Sequence, residues 1–501
     1  MEASTKRKSQ LGPEDETLVI FNNDLPDSDN WAAALVQALN ASRTNTRVVF
    51  ILESRQVSLA SYMTAKDQRA LLKVIQKSSG KCIFDARKVM LNGFSGDYHG
   101  HTRDWDLELL SDEERNLLRK VERPAYDPKP DAILHAELVT LDFASYLVKH
   151  SFGRSYKGTG EICRSNIEIL IDSDSLPKIK NPVNLNAHHR DEIFGRNHPE
   201  LQSFEKAATM EGEERKEAFR NYYRESIHRK TKELGDSVKV LVKGSMKGSA
   251  EDSAKHSAIP IGHLDRTNLY ERIEAAKSVH WFGGCSLTLL QDVHRAGLAA
   301  KLNCCVQAVS ARLIDMYEES KLMNDEGTFD LSDNLFPEQF NICLNRDAAD
   351  YVFEHHADFA DFLVVPTNSA QAVQYSMRGI LNLDEKDLGQ RILGFNFYKD
   401  PIEIRRQPVI LREEYNDKRV VMPDLTALLG MVAPSSLGGE ARNVKVKRSK
   451  NKEEPLLFEL SDSTLDMRVY HLEKRSEPFD IAPLVDRWVS MAQSAQIHAT
   501  D

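Results

Sequence analysis

Seven residues between positions 22 and 30 crowd carboxylates and amides into one short turn after the apolar run "TLVIF": Asn22, Asn23, Asp24, Asp27, Ser28, Asp29 and Asn30. Asp24, Asp27 and Asp29 repel one another unless a cation or a set of N–H donors sits among them. Hard oxygen ligands at this spacing suit a Ca2+ or Mg2+ ion, which takes up that repulsion. The same residues also suit a helix N-terminus, where Asp and Ser ahead of "NWAAAL" cap free N–H groups and lie favourably in the helix dipole. Both readings stand on this stretch alone.

Three further stretches carry groups of matching chemistry. "RVVMPDLTALLG" (419–430) places Asp424 at a strand's end, as a natural N-cap and as a carboxylate that can ligate. "VHWFGGCSLT" (279–288) closes a strand in a glycine turn whose carbonyls can point outward. "FPEQFNICLNRDAADYVF" (336–353) puts Asn341 at the start of a short strand, after a turn holding Asn334, Glu338 and Gln339. Side-chain amides there both donate to and accept from hydroxyl groups. "GDYHGHTRD" (96–104) offers His99, His101 and Asp104, either as a solvated loop or as a proton source. The paired histidines of "NAHHRDE" and "EHHAD" are adjacent, do not face one ligand, and read as structural or surface residues. "GSMKGS" lacks the GK[ST] ending of a phosphate loop.

The elements that must position these groups alternate between strand and helix. "TLVIF" (17–21) and "TRVVFILES" (46–54) flank the helically spaced "NWAAALVQALNAS", a β-α-β unit with the opening turn at its carboxyl edge. "AKDQRALLKVIQKSS" reads as a helix, and "DAILHAELVTLDFASYLVKHS" (131–151) as a helix or a strand-helix pair. Beyond 265, "LYERIEAAKS", "SLTLLQDVHRAGLAAKL", "NRDAADYVFEHH" and "AQAVQYSMRGIL" read as helices between the strands "VHWFGG", "CCVQAVSA" and "DFLVVPT". This is the pattern of an α/β fold with an open, mostly parallel, Rossmann-like sheet covered by helices on both faces. Residues 1–16 are expected to be a disordered tail and 17–434 one α/β domain. Within it, about 152–265 reads as a charged insertion with one strand, "NIEILIDSD", and the helix "EGEERKEAFRNYYRESIHRKTKEL". Residues 435–501 read as a basic loop, "SSLGGEARNVKVKRSKNKEEP", followed by two edge strands and a terminal helix packing on the domain.

Bulk properties narrow the function. The chain has 501 residues, 41% of them apolar, and a net charge of -10, which disfavours nucleic acid as the main partner. Six cysteines without CxxC spacing read as buried reduced thiols rather than a disulfide framework or zinc cluster. No apolar run approaches the roughly 18 residues of a membrane span, and the first residues lack the apolar core of a signal peptide. The expected location is cytoplasmic, with the nucleus as the other compartment that the run "KVKRSKNK" fits.

Taken in order, these stretches resemble the inosine-uridine-preferring nucleoside hydrolase family. "NNDLPDSDNWAAAL" is similar to the family's D-x-D-P-G-x-D-D and Ala-rich helix, with Asn22, Asp24, Ser28 and Asp29 on its four acidic positions. "CSLTL" (285–289) looks like the family's G-P-L-T-N turn, "QFNICLNRDAA" like its E-F-N segment, and "PDLTA" (423–427) like its late H-D-P-x-A. The resemblance implies a hydrolase of the N-glycosidic bond of a ribonucleoside or related N-ribosyl compound. It implies one Ca2+ held by Asp24, Asp29, the Gly284 carbonyl and Asp424. It further implies that Asp24 deprotonates a calcium-bound water that attacks the anomeric carbon, through an oxocarbenium-like state. By the same resemblance Asn22, Ser28, Asn334, Gln339 and Asn341 bind the ribose, the partner is a small nucleoside-like molecule, and the chain forms a homo-oligomer.

The departures lie at the site. Asn22 and Ser28 replace carboxylates, Gln339 replaces a glutamate, Pro423 stands where many members carry a histidine, and no glycine follows Pro26. A one-residue slip would make Asn30, not Asp29, the last ligand. Fewer carboxylates weaken calcium binding. Two functional classes therefore follow: a working hydrolase, or a hydrolase-like protein that binds a ligand or partner without turnover. A magnesium-dependent phosphate enzyme is a third, disfavoured by the missing downstream Lys/Thr motif.

Overall fold

The computed structural model describes residues 17–23, 46–53, 65–79, 106–122, 129–149, 166–174, 212–240, 258–309, 345–366, 422–432, 440–447, 457–463 and 467–471. It also describes Asn341, 419–420, 479–480 and single positions within 30–41 and 370–376. Its centre is an 11-stranded sheet of order β12-β11-β13-β8-β7-β6-β1-β2-β3-β5-β4. The strands are β1 (Thr17–Asn23), β2 (Arg47–Glu53), β3 (Ile167–Asp172), β4 (Val238–Val240), β5 (Ile259–His263), β6 (Ser278–Gly284), β7 (Leu302–Val309) and β8 (Asp361–Pro366), then β11 (Glu440–Lys447), β12 (Leu457–Leu460) and β13 (Met467–His471). Only the pairs that β11 makes are antiparallel. A second, three-stranded sheet joins β9 (Tyr375–Ser376), β10 (Arg419–Val420) and β14 (Phe479–Asp480).

The helices are α1 (Ala65–Ser79), α2 (Asp112–Glu122), α3 (Lys129–Lys149), α4 (Gly212–Leu234), α5 (Arg266–Ala275), α6 (Thr288–Arg295), α7 (Arg346–Glu354) and α8 (Pro423–Val432). Side chains alternate across each strand, so one sheet feeds two cores. Val19, Phe21, Phe50 and Leu52 pack with Ala33, Ala34 and Val36 of the helical positions after β1, with Phe143 of α3 and with Leu425 and Leu428 of α8. Leu18, Ile20, Val49 and Ile51 face the other way, against Leu269 and Ile273 of α5, Leu289 and Leu290 of α6 and Val352 of α7. The near-continuous apolar runs of β1 and β2 follow, because a strand buried on both faces has no polar side. Among the described residues no helix is long and apolar enough to cross a membrane.

The sheet grows outward from β1 in two directions. β2 and β3 lie on one side and β6, β7 and β8 on the other, with β1 parallel to both neighbours. The reversal between β1 and β6 is a topological switch point, and ligands of open α/β sheets bind in the crevice beyond the carboxyl ends of strands there.

Several expectations are corrected. Residues 152–265, in which one strand is expected, supply three, β3, β4 and β5, to the main sheet; β3 is buried along its whole length between β2 and β5. Within the expected basic loop, β11 forms because Val444 is buried while Lys445 stays exposed, the period-two alternation of a strand. β13 is interior, pairing β8 and β11, and β12 alone of the two expected edge strands lies at the edge. "AQAVQYSMRGIL" contains β9, where pairing to β10 and β14 overrides helical spacing. Residues 131–149 are helix throughout, within α3. The terminal helix expected after β14 lies outside the described residues.

Cys285, Cys304 and Cys305 are buried thiols. Burial pushes the Cys304 and Cys305 thiols well up, so they stay protonated.

Phe21 is 1% exposed, with its ring 5.4 Å from Phe50 and 4.7 Å from Phe282. Phe21→Ala is expected to cost ~3–5 kcal/mol, read as a lower urea midpoint.

Candidate functional site

β1 and β6 run in register, so Asn23 and Gly284 end their strands side by side. α8 delivers Asp424 to the same place: the Asn23 amide Nδ2 donates to Asp424 Oδ1 at 3.5 Å, across 401 residues of sequence. A Cβ on Gly284 would lie 2.8 Å from Asn23 Nδ2 and would overlap Asp424 Oδ1. Glycine is therefore required at 284 by the close approach of a carboxylate to the backbone. Asn23 is fully buried and Asp424 is buried.

Asp424 is not an N-cap. Pro423 begins α8, as suits a residue without an N–H, and the Met422 carbonyl accepts from Thr426 N at 2.9 Å. Asp424 thus lies in the first helical turn, where the dipole favours its charge, with its carboxylate turned to Gly284 and Asn23.

The other face of the same sheet edge is chemically different. Glu53 and Asp172 end β2 and β3 opposite each other. Asp172 is fully buried and receives a two-pronged contact from Arg266, Nη1 to Oδ1 and Nη2 to Oδ2, both at 3.2 Å. The same guanidinium reaches Asp292 through Nε at 3.1 Å and Asp174 through Nη1 at 3.4 Å. Glu53, 3% exposed, meets no such cation among the described residues and instead accepts from Ser286, N–H to Oε2 at 3.2 Å and Oγ to Oε1 at 2.8 Å. Burial, and next the charge of Asp172, push its carboxyl up to about 8; the Ser286 bonds offset only part of this.

The sequence-derived residues fall as follows. Gly284 and Asp424 are brought together. Asn22 lies on the opposite face from Asn23, where its amide donates to the Ile51 carbonyl at 3.4 Å. Asn341 is buried and its backbone is helical, not the start of a strand. Asp24, Ser28, Asp29, Asn334 and Gln339 lie outside the described residues, as do Asp27, His99, His101 and Asp104. His355 and His356 bind carbonyls of their own helix region, Tyr351 O at 2.8 Å and Phe353 O at 2.9 Å, a structural use. Sequence reasoning names Asn23 within the crowded opening turn but gives it no role of its own, and it passes over Glu53, Asp172, Arg266 and Ser286. A signal existed for three of them: Asn23, Glu53 and Asp172 each end an otherwise apolar strand with a polar side chain.

Among the described residues no group of three or more His, Cys, Asp and Glu side chains could hold a metal. The described part of the assigned calcium set, the Asp424 carboxylate against the Gly284 main chain, offers hard oxygens in a cradle that a Cβ would fill. That donor chemistry fits calcium.

No family model and no curated protein matches the chain. Solved structures similar to it include an inosine-uridine preferring nucleoside hydrolase from Bacillus anthracis, at 9% identity over 96% of this chain and 98% of that one, with a TM-score of 0.38. A plant nucleoside hydrolase is similar at 12% identity over 96% and 98%, TM-score 0.39. The type III effector protein XopQ, complexed with adenosine diphosphate ribose, is similar at 8% identity over 96% and 94%, TM-score 0.32. These likenesses are thin in sequence and in superposition, and the fold of this chain rests on its own strand order and register.

Gly284→Ala is expected to cost ~1–3 kcal/mol, since neither Asp424 nor Asn23 can retreat without moving buried neighbours; thermal melting measures it. For Glu53 the pH dependence has a definite sign. The unfolded carboxyl ionises near 4.5 and the folded one near 8, so between these values the folded chain holds the extra proton. Stability from this group is full below pH about 4.5 and is lost as pH rises through about 8. Unfolding free energies from urea titrations at pH 6 and 9 are expected to differ less in Glu53→Gln than in the wild type, by on the order of a few kcal/mol.

Proposed function

We propose that the chain hydrolyses the N-glycosidic bond of a ribonucleoside or a related N-ribosyl compound. The observation that supports this reading most directly is the meeting of Asp424 and Gly284 at the β1/β6 switch point, from positions 140 apart in sequence number and from separate elements. Those are the two positions that the family resemblance assigns to calcium and that the structure describes. Asp24 and Asp29, which follow directly after β1, complete the assigned set.

Calcium, when bound, supplies the positive charge that acidifies water and orients ribose hydroxyls. The chain's own residues do the remainder. Asp24 accepts the proton of the attacking water as general base. Asn341, with Asn334 and Gln339 in the stretch before it and with Ser28, holds ribose hydroxyls by donating and accepting hydrogen bonds; Asn22, turned to the other face and bonded to the Ile51 carbonyl, is not among them. Position 423 cannot protonate the departing base, because proline carries no side-chain proton; that proton comes from elsewhere. The substrate is a small molecule, and calcium is the cofactor of this reading.

Calorimetric titration with Ca2+ is expected to show one site, weakened by at least ~10-fold in Asp424→Asn. Reducing-sugar release from a panel of nucleosides is expected to fall by about 100-fold or more in Asp24→Asn. Absence of calcium binding in the wild type refutes the reading. Calcium and nucleoside binding with no sugar release replaces it with a non-catalytic binding function.

A further inference from the structure

We propose that Glu53 is the positioning residue that ties the two halves of the candidate site together, holding the Gly284 turn against β2 and, through Ser286 and Thr288, against the start of α7. Its importance for ligand binding rests on the calcium and ribose reading above; its geometry does not.

The contacts form one chain, buried at Glu53, Ser286 and Asn345 and partly buried at Thr288. Glu53 takes both the N–H and the Oγ of Ser286, 233 residues away, with its two carboxyl oxygens. Ser286 Oγ lies 3.0 Å from Thr288 Oγ1 and accepts from Thr288 N at 3.4 Å. Asn345 Nδ2 donates to Thr288 Oγ1 at 2.9 Å. The Oδ1 of the same Asn345 accepts from Ala348 N at 3.3 Å, capping α7. Ser286 and Asn345 are 2% and 3% exposed, so losing one partner leaves a buried polar group unsatisfied.

Each end of this chain abuts a part of the assigned site. Ser286 is two residues beyond Gly284, and fixing both its N–H and its Oγ fixes the turn on which Gly284 sits. Asn345 is four residues beyond Asn341, at the end of the stretch that carries the ribose-assigned amides. A carboxyl group satisfies two Ser286 donors at once, which no apolar residue does. Packing alone does not call for it: Val49 and Ile51 already fill the core on this face of β2. A buried carboxyl beside Asp172 therefore has a cost that the connection explains.

Hydrogen exchange on the full chain tests this without calcium, with Ile51→Ala as a core control compared at equal global stability. Glu53→Ala is expected to speed exchange at least ~10-fold both at Ser286–Leu290 and at Arg346–Ala349, with the control unchanged at both. Glu53→Gln, whose amide keeps an acceptor for the Ser286 N–H and a polar partner for its Oγ, is expected to restore most of the protection. If Glu53→Ala does not fold, Ser286→Ala takes its place and is expected to loosen Arg346–Ala349. In calorimetry Glu53→Ala is further expected to weaken calcium binding by ~10–100-fold.

Unchanged exchange at Arg346–Ala349 in the variant used, or equal loosening in the control, overturns the proposal. Wild-type protein that binds no calcium but shows the exchange pattern overturns the calcium reading and leaves the positioning role of Glu53 standing.

Discussion

The position of β1 between β2 and β6, parallel to both, is the constraint on which the rest of the architecture depends. Sheet growth reverses there, so the carboxyl ends of β1 and β6 lie at the topological switch point of the sheet. The register sets what faces it. Asn23 meets Gly284, and because side chains alternate, a slip of one residue would put Asn22 in place of Asn23 toward α8. Such a slip would also drive Phe21 out of one core and Ile20 out of the other, so packing of the two cores holds the site in register.

From this one edge the sheet presents two chemistries. On the α8 face a carboxylate, an amide and a glycine main chain crowd together. On the α5 and α6 face Arg266 is committed to Asp172, Asp174 and Asp292. Glu53 meets the negative potential of Asp172 by retaining a proton and by binding Ser286. Among the described residues the Arg266 guanidinium on Asp172 is what separates it from Glu53, although the two residues face each other across adjacent strands.

Much of the fold is legible in the chain. β1, β2, β6 and β8 are short apolar runs that have no exposed face to satisfy, and α1 coincides with the segment "AKDQRALLKVIQKSS". Legibility fails where local pattern and tertiary pairing compete. β11 is lysine-rich and reads as loop until β13 and β12 supply its backbone partners. The strands β4 and β5 hide in a segment whose overall charge outweighs their few apolar residues.

The sequence by itself determined the class of fold, the polar residues at strand ends and the hard-oxygen chemistry of positions 22–30 and 424, because residue type and spacing carry those directly. Only the tertiary structure decided which of them meet. Asp424 reaches Gly284 and Asn23 because α8 packs on the face of the sheet toward which Asn23 points. Glu53 reaches Ser286 because β2 and the start of α6 close over the other face. Contacts across 401 and 233 residues depend on strand order and register, and no local spacing in the chain encodes either.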